Sequence, residues 1–310
     1  MNSGAGNKTV AAAKEYEQRI PLLLSEHPEG SVHSVFQNGV NIRMGGRLFF
    51  IGTKKNGELP FGIHLSGEDV HSFVKAIEQE SLVKWQADSQ ELVFEAASLA
   101  VSLAEADPFH WELSCRELEA ENVTNNLVML LSILVEKPMK TGLDIEIEEF
   151  VADYLEGNRP ASETGRQLKE LVAVLLSSDQ KKLEQSLRFF LGRGQGLTPS
   201  GDDHLVGILA IHTAVGLISS EALQTLRRLV AEENLTTDVG LEYLLYALDG
   251  RFSSTVVKAV SALTEKTDIY TLEPVIEDLL DMGHSSGIDT VFGMLLGLLI
   301  KRRKLEWLKR

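Results

Sequence analysis

Two short stretches of this chain concentrate residue types that can do chemistry. Residues 192–203 read Gly-Arg-Gly-Gln-Gly-Leu-Thr-Pro-Ser-Gly-Asp-Asp, directly ahead of an apolar run from Leu205 to Ile218. Residues 283–289 read Gly-His-Ser-Ser-Gly-Ile-Asp, again ahead of an apolar run. The segments 199–207 and 285–293 both fit x-Ser-Gly-x-Asp-x-(Leu/Val)-x-Gly. That pattern predicts two equivalent helix starts, capped by Ser200 and Ser286, with Asp203 and Asp289 in matching places. Asp203, three residues after its cap, would reach back toward the cap's N–H. Hydroxyls and bare first-turn amides at such a start are suited to hold an anion. The inner glycines Gly207 and Gly293 each cost about 1 kcal/mol against alanine inside a helix. A cost accepted twice at one offset predicts close backbone approach where the two helices cross. The two starts are therefore expected to face each other and make one site. Serines more than roughly 15 Å apart could not share a small ligand.

The carboxylates in this picture repel the anion that the amides attract. A divalent metal such as Mg²⁺, bridging Asp202, Asp203 or Asp289 to a bound phosphate, would remove the conflict. So would carboxylates that only cap while the loop amides face the ligand, and the residues leave both readings open. A serine cap with an aspartate three residues on is also a plain stabilising device, worth typically ~1 kcal/mol. Arg193 is the only cation in the longer stretch and is a candidate partner for an anionic substrate. His284, beside Ser285 and Ser286, is a candidate acid/base or ligand-orienting group. His212, inside an apolar run, reads as a satisfied core histidine, and His204 as intermediate. Asn234, Thr236 and Thr237 read first as a helix cap, and Trp85 and Trp111 as packing.

Nucleotide loops fit poorly. The dinucleotide fingerprint wants a third glycine three residues after the second, and positions 197 and 199 are Leu and Pro. The phosphate loop of nucleotide hydrolases wants Gly-Lys-Ser/Thr, and no lysine lies in the stretch. The Ser-x-Arg-Thr signature of the common carbamoyltransferase fold is also missing.

The elements that must position these stretches follow from texture. At 310 residues the chain exceeds one average domain, so two domains are expected, 1–120 and 121–310. From Ser31 to Leu65 the apolar residues alternate between turns, with Asn38-Gly39 suited to a two-residue hairpin. Val32–Gln37, Val40–Met44, Arg47–Thr53 and Pro60–Leu65 then imply an antiparallel meander. Ser66 caps a helix through Val70, Phe73, Val74 and Ile77, and Leu82–Gln86 with Glu91–Glu95 suggest a further hairpin. Residues 1–20 read as a loose arm leading into a short helix, and 99–121 give no clear pattern. Beyond about residue 120 the texture is helical throughout, with the helices from Ser200 and Ser286 apolar on nearly every face and therefore inside the bundle. The fold class is α+β, a β-meander domain followed by a large all-α domain.

Composition narrows the partners. A formal net charge of −15 disfavours nucleic acid, whose phosphates need clustered Lys and Arg. The only basic cluster, Lys301 to Lys304 with Lys309 and Arg310, is explained by helix-dipole complementarity. The longest apolar run, Val291 to Ile300, is too short to span a bilayer, and no hydrophobic signal core opens the chain. A single cysteine, Cys115, excludes an internal disulfide and reads as a plain core or strand residue. A cytosolic location is expected.

Taken together, residues 192–203 and 283–289 resemble the two signatures of a bacterial family placed best by a subunit of the oxamate carbamoyltransferase of anaerobic allantoin degradation. Val32-His33-Ser34-Val35-Phe36, Leu59-Pro60-Phe61-Gly62-Ile63, Thr236-Thr237 with Tyr243-Leu244, and Gly250-Arg251-Phe252 extend the similarity over most of the chain. The resemblance implies a three-subunit complex interconverting oxalurate and phosphate with oxamate and carbamoyl phosphate. Its other members would be an acyl-CoA-synthetase-like protein and a second helical protein. It further implies that Gly194, Gly196, Thr198, Ser200 and Gly201 hold phosphate or carboxylate. Asp202, Asp203, Asp289 and His284 would then bind metal or move protons. With no classical nucleophile suggested, transfer would be direct and electrostatically stabilised. A non-catalytic assembly subunit, or a stand-alone metal-dependent phosphate-ester or acyl-transfer enzyme, are the alternatives.

Overall fold

The computed structural model describes residues 8–117, 119–137, 139–177 and 179–308. The chain forms two compact units that divide between Trp111 and Glu112.

The first unit contains strands β1 (Thr9–Ala12), β2 (Glu15–Glu17), β3 (Glu29–Phe36), β4 (Gly39–Met44), β5 (Arg47–Gly52), β6 (Gly62–His64), β7 (Leu82–Gln86), β8 (Glu91–Phe94), β9 (Leu99–Ser102) and β10 (Asp107–Phe109). Helix α1 (Ile20–Glu26) separates β2 from β3, and α2 (Gly67–Ala76) separates β6 from β7. The sheet order is β1-β9-β8-β7-β3-β4-β5-β6-β2-β10. β1 and β2 are separated by only two residues yet pair near opposite ends of that order, so the sheet curls back on itself. Apolar side chains such as Val32, Ile42, Phe49, Ile63, Leu92 and Phe94 fill its interior.

The expected meander holds from β3 through β5. Gly45 and Gly46, at φ +58 and +77, supply the two left-handed residues that a tight hairpin needs between β4 and β5. The preceding hairpin turns one residue earlier than the Asn38-Gly39 pattern suggests, because Phe36 pairs with Gly39 across Gln37-Asn38. The sheet is nevertheless mixed. β6 runs parallel to β5, β1 to β9, and β2 to β10. Two of these three parallel pairs come from the N-terminal segment. It does not hang loose beyond residue 8 but enters the sheet, and β2 takes the free side of β6 in antiparallel pairing. The part of the expected arm over residues 1–7 lies outside the described residues. Residues 99–109, patternless in sequence, supply β9 and β10.

The second unit is helical. Its helices are α3 (Ala120–Glu136), α4 (Ile147–Glu156), α5 (Glu163–Val174), α6 (Gln180–Phe190), α7 (Ser200–Val215), α8 (Ser220–Glu232), α9 (Asp238–Leu248), α10 (Ser254–Leu263), α11 (Ile269–Leu280) and α12 (Ser286–Leu308). Side chains of Ser162, Asp179, Ser219, Thr237, Ser253 and Asp268 cap six of them by accepting a first-turn N–H. As their uniform apolarity predicts, α7 is buried on nearly every face and α12 is buried from Ile288 to Ile300. No helix among the described residues is long and apolar enough to cross a membrane.

Two expectations need adjustment. Cys115 is exposed, because it sits on the irregular stretch ahead of α3 and not in a strand or core. Lys301 and Lys304 lie within α12 and donate to the carbonyls of Val215 and Gly216 at the end of α7, so the dipole they complement is that of a neighbouring helix. Lys309 and Arg310 lie outside the described residues. His212 is satisfied as expected, its Nδ1 accepting from the N–H groups of Leu217 and Ile218 at 3.0 and 2.9 Å, but it is part-buried and not a core residue.

Candidate functional site

Helices α7 and α12 lie side by side and point the same way, matched position by position. A methyl built on Gly207 would sit 2.2 Å from Thr290 O, and one built on Gly293 would sit 2.2 Å from His204 O. His204 and Thr290 occupy equivalent places in the repeated pattern, so the contact is reciprocal. Between the glycines themselves, each absent methyl would fall within 3.0 Å of the other's Cα. One layer deeper, Gly297 lies against the side chain of Ile211. The two inner glycines are thus where the helices meet, and only glycine permits the approach.

The helix starts converge as a consequence. Thr198 Oγ1 and Ser286 Oγ are 2.9 Å apart. A methyl built on Gly142, in the loop joining α3 to α4, would sit 2.0 Å from Ser200 Oγ, 2.8 Å from Ser285 Oγ and 3.0 Å from Asp289 Oδ2. Three polar groups from two distant parts of the sequence therefore gather round one point, far inside the limit set for a shared ligand. The Gly142 N–H donates to Asp289 Oδ1 at 2.9 Å.

The starts are not capped as the pattern suggests. Pro199 occupies the N-cap of α7, without a side-chain bond, and its carbonyl accepts from the N–H groups of Asp202 and Asp203 at 2.9 and 3.1 Å. Ser200 is consequently the first helical residue, one place later than expected. The Asp203 carboxyl does not return to its own cap but lies at the hydroxyls of Ser286 and Thr198. First-turn amides are also less available than the sequence implies. Gly201 N–H donates to Arg193 O at 2.8 Å, and Gly287 N–H to Met282 O at 3.0 Å. Gly201 and Gly287 have a matching packing role as well. A methyl on either would lie within 2.2 Å of a backbone carbonyl near the end of the preceding helix, Phe190 O or Leu279 O.

Electrostatics follow from burial. Asp203 is 5% exposed and Asp289 and His204 are wholly buried. Burial pushes the Asp203 carboxyl well above the usual range; the nearby Asp289 and Asp202 add to the rise, and the Ser286 and Thr198 hydroxyls oppose it. Burial also lifts Asp202 to about 6, against the pull of Thr236 and the Gly192 N–H. His204 is held down by burial, with Asp289 and the Ser200 carbonyl opposing. Its Nδ1 bonds that carbonyl and lies 3.7 Å from Asp289 Oδ1. Oδ2 of Asp203, Oδ2 of Asp289 and Nε2 of His204 are buried without a hydrogen-bond partner. Tyr243 of α9 feels the same region, since burial and then Asp203 raise its phenol.

Not every sequence candidate joins this centre. Asp202 faces away, its Oδ1 accepting from Gly192 N–H at 2.8 Å and its Oδ2 from the Thr236 hydroxyl. Among the described residues no three His, Cys, Asp or Glu side chains are placed to hold a metal ion. Arg193 is exposed and turned back on α6, with its guanidinium 3.6 Å from the Phe189 ring centre and its Nε donating to Phe189 O. Gly196 and His284 are exposed. Gly194, at φ +118, takes a left-handed bend and leaves no room for a side chain, which would fall 2.6 Å from Ser200 N. Gly142 and Thr236 go beyond the sequence reading. For Thr236 the Thr236-Thr237 pair was a signal, with Thr237 taking the cap and Thr236 free to hold Asp202. For Gly142 the sequence offers only a glycine between helices.

A family model described as oxamate carbamoyltransferase subunit AllH matches residues 190–298, and one described as the AllH family N-terminal domain matches residues 10–108. The chain belongs to the AllH family. Its description as a subunit implies an assembly of several chains. The AllH match opens at the end of α6 and closes within α12, so it takes in both glycine–serine stretches, while Gly142 lies outside both matched ranges. No solved structure matches the chain.

Proposed function

We propose that this AllH-family chain works as a subunit of an oxamate carbamoyltransferase and holds a small anion, such as oxamate, phosphate or carbamoyl phosphate, between the starts of α7 and α12. One observation carries the reading. Hydroxyls of Ser200 and Ser285 and a carboxyl oxygen of Asp289 converge on Gly142, and Thr198 and Ser286 join the same two helix starts. Two parallel helices present their positive ends there together. The conflict between acid groups and an anionic ligand eases without a metal. Asp203, raised by burial, favours its neutral form and can donate a hydrogen bond. Proton transfer is assigned to Asp203 and Asp289. His284, Arg193 and the exposed part of the 192–197 loop would serve at the entrance, facing substrate or the partner chains. Those partners, by this reading, are an acyl-CoA-synthetase-like subunit and a second helical subunit.

The test is carbamoyl transfer in the assembled complex with Asp203→Asn or Ser286→Ala. Loss of a donor poised at developing charge typically costs about 10²–10³ in rate. Unchanged turnover with intact assembly would reassign this chain to a scaffolding role.

A further inference from the structure

We propose that the outer faces of α3 and α11 form the docking surface for an amphipathic helix of a different subunit, one whose apolar stripe is bordered by Lys and Arg. The inference uses the chain's standing as a subunit and nothing of the anion site.

Val128 and Val135 on α3 are 56% and 50% exposed, and Leu131 between them is half-buried. With Thr124 they are spaced four, three and four residues apart, as in a seam that a second helix covers. The polar members of this face do not turn their hydroxyls outward. Thr124 Oγ1 donates to Ala120 O and Ser132 Oγ to Val128 O, each at 3.0 Å, which commits both hydroxyls to the helix's own backbone. The other side of α3, with Val123, Leu127 and Leu130, lies in the core. The helix is therefore apolar on two sides, and the chain itself buries one. A lone exposed valine is ordinary, whereas a stripe at this spacing marks an interaction surface.

Helix α11 runs beside α3 in the same direction. Asn126 Nδ2 donates to the Glu265 carbonyl ahead of α11 at 2.7 Å, and Lys137, eleven residues on, pairs with Glu277, twelve residues on. Tyr270 precedes Glu277 by seven residues, so it projects within about 20° of the same direction. It is 85% exposed, on the side of α11 that borders α3. Glu273 and Asp281, four residues to either side of Glu277, share that side and act on Lys137 together with it. An apolar stripe and a tyrosine thus lie beside a row of three carboxylates.

That row decides the occupant. A second copy docked by two-fold symmetry would bring its own carboxylates to the same place, in a chain of net charge −15. A partner carrying Lys or Arg there meets the row with opposite charge. An apolar helix face between such residues is a recurring mode of recognition, and exposed tyrosine is a favoured anchor in it. The description of the family as a subunit supplies an unlike chain to carry that helix.

The experiment is sedimentation of the full chain, alone and mixed with the co-expressed other subunits of the oxamate carbamoyltransferase assembly. Wild type is expected to be monomeric alone and to bind the other subunits, more weakly as salt is raised. Val128→Glu with Val135→Glu should keep the wild-type melt and lower that affinity at least about tenfold. Tyr270→Ala, at a side chain the fold does not bury, should weaken binding in the same way even if the double variant fails to fold. Glu273→Lys with Asp281→Lys should also weaken it, while Leu82→Glu, at a leucine 66% exposed on β7, should not. Unchanged affinity in the folded α3 and Tyr270 variants would overturn the proposal. So would a wild type that binds no other subunit, tighter binding by the lysine variant, or a chain that dimerises alone through Val128 and Val135. Loss of transfer in Asp203→Asn with this binding intact keeps the failure of one proposal distinct from that of the other.

Discussion

Replacing Gly207 by alanine separates two physical effects that predict opposite signs. Helix propensity alone favours alanine by about 1 kcal/mol. Packing opposes it, since the new methyl would lie 2.2 Å from Thr290 O, 2.7 Å from Met294 N and 2.8 Å from Gly293 Cα. Comfortable carbon contacts need about 3.5 Å, so something must yield by about 1 Å. All three neighbours are backbone, and no rotamer change relieves them. Helices α7 and α12 must move apart inside a close-packed core, where overpacking costs typically about 1–3 kcal/mol. With backbone on both sides we take the upper end, which leaves a net loss of about 2 kcal/mol after the propensity gain. For a unit of this size that is a fall of about 4–8 °C in Tm. Circular dichroism melts and urea midpoints measure it. Gly67→Ala, at an open position on α2 with nothing within 4 Å, is the control and should stay within about 0.5 kcal/mol of wild type. Gly293→Ala should match Gly207→Ala, because its methyl meets His204 O at the same 2.2 Å. The double variant should lose less than the sum, since one separation of the helices accommodates both methyls. A Gly207→Ala protein that melts at or above wild type would refute the reciprocal contact, and with it the reason the helix starts converge.

Three further outcomes follow from the same geometry. Gly142→Ala should abolish oxamate binding while the fold persists, because its methyl would fill the point shared by Ser200, Ser285 and Asp289; titration of the folded variant decides it. Folded Asp202 keeps its proton up to about pH 6, against an ordinary value of 3.8, so between those values the folded state binds more protons than the unfolded one. Stability should therefore fall as pH rises through that window, by up to about 3 kcal/mol for roughly two units, and Asp202→Asn should remove this share and be the more stable protein at pH 7. A pH series of urea midpoints tests it, and equal slopes for the two proteins would show that Asp202 is not burdened by burial. Asn126→Leu should cost about 1–3 kcal/mol, because Nδ2 of this buried residue donates to the carbonyls of Leu263, the last residue of α10, and Glu265, just beyond it, at 2.9 and 2.7 Å. A variant as stable as wild type in urea would mean water replaces it there.

What the sequence disclosed, and what it hid, divides along one line. Features fixed by a residue's own chemistry in its local frame were legible. Ser66 caps α2, Gly45-Gly46 turns β4 into β5, and the doubled pattern around Gly207 and Gly293 marks a helix crossing, because glycine's tolerance of close approach is intrinsic. Features set by what arrives from elsewhere were not. β6 pairs in parallel with β5 and takes β2 on its other side, and nothing in residues 47–65 records either. Gly142 joins the centre only because its loop crosses the two helix starts, and Asp202 leaves it only because Thr236 comes close enough to hold it. The capping pattern at Ser200 shows both at once. Local preference named the right residues, but Ser286 lies within reach of Asp203, so its carboxyl bridges two helices where a lone helix would have bent it back to its own start. A device that would stabilise one helix by about 1 kcal/mol is thereby converted into the link between two, and that conversion brings the buried acids of both helix starts together.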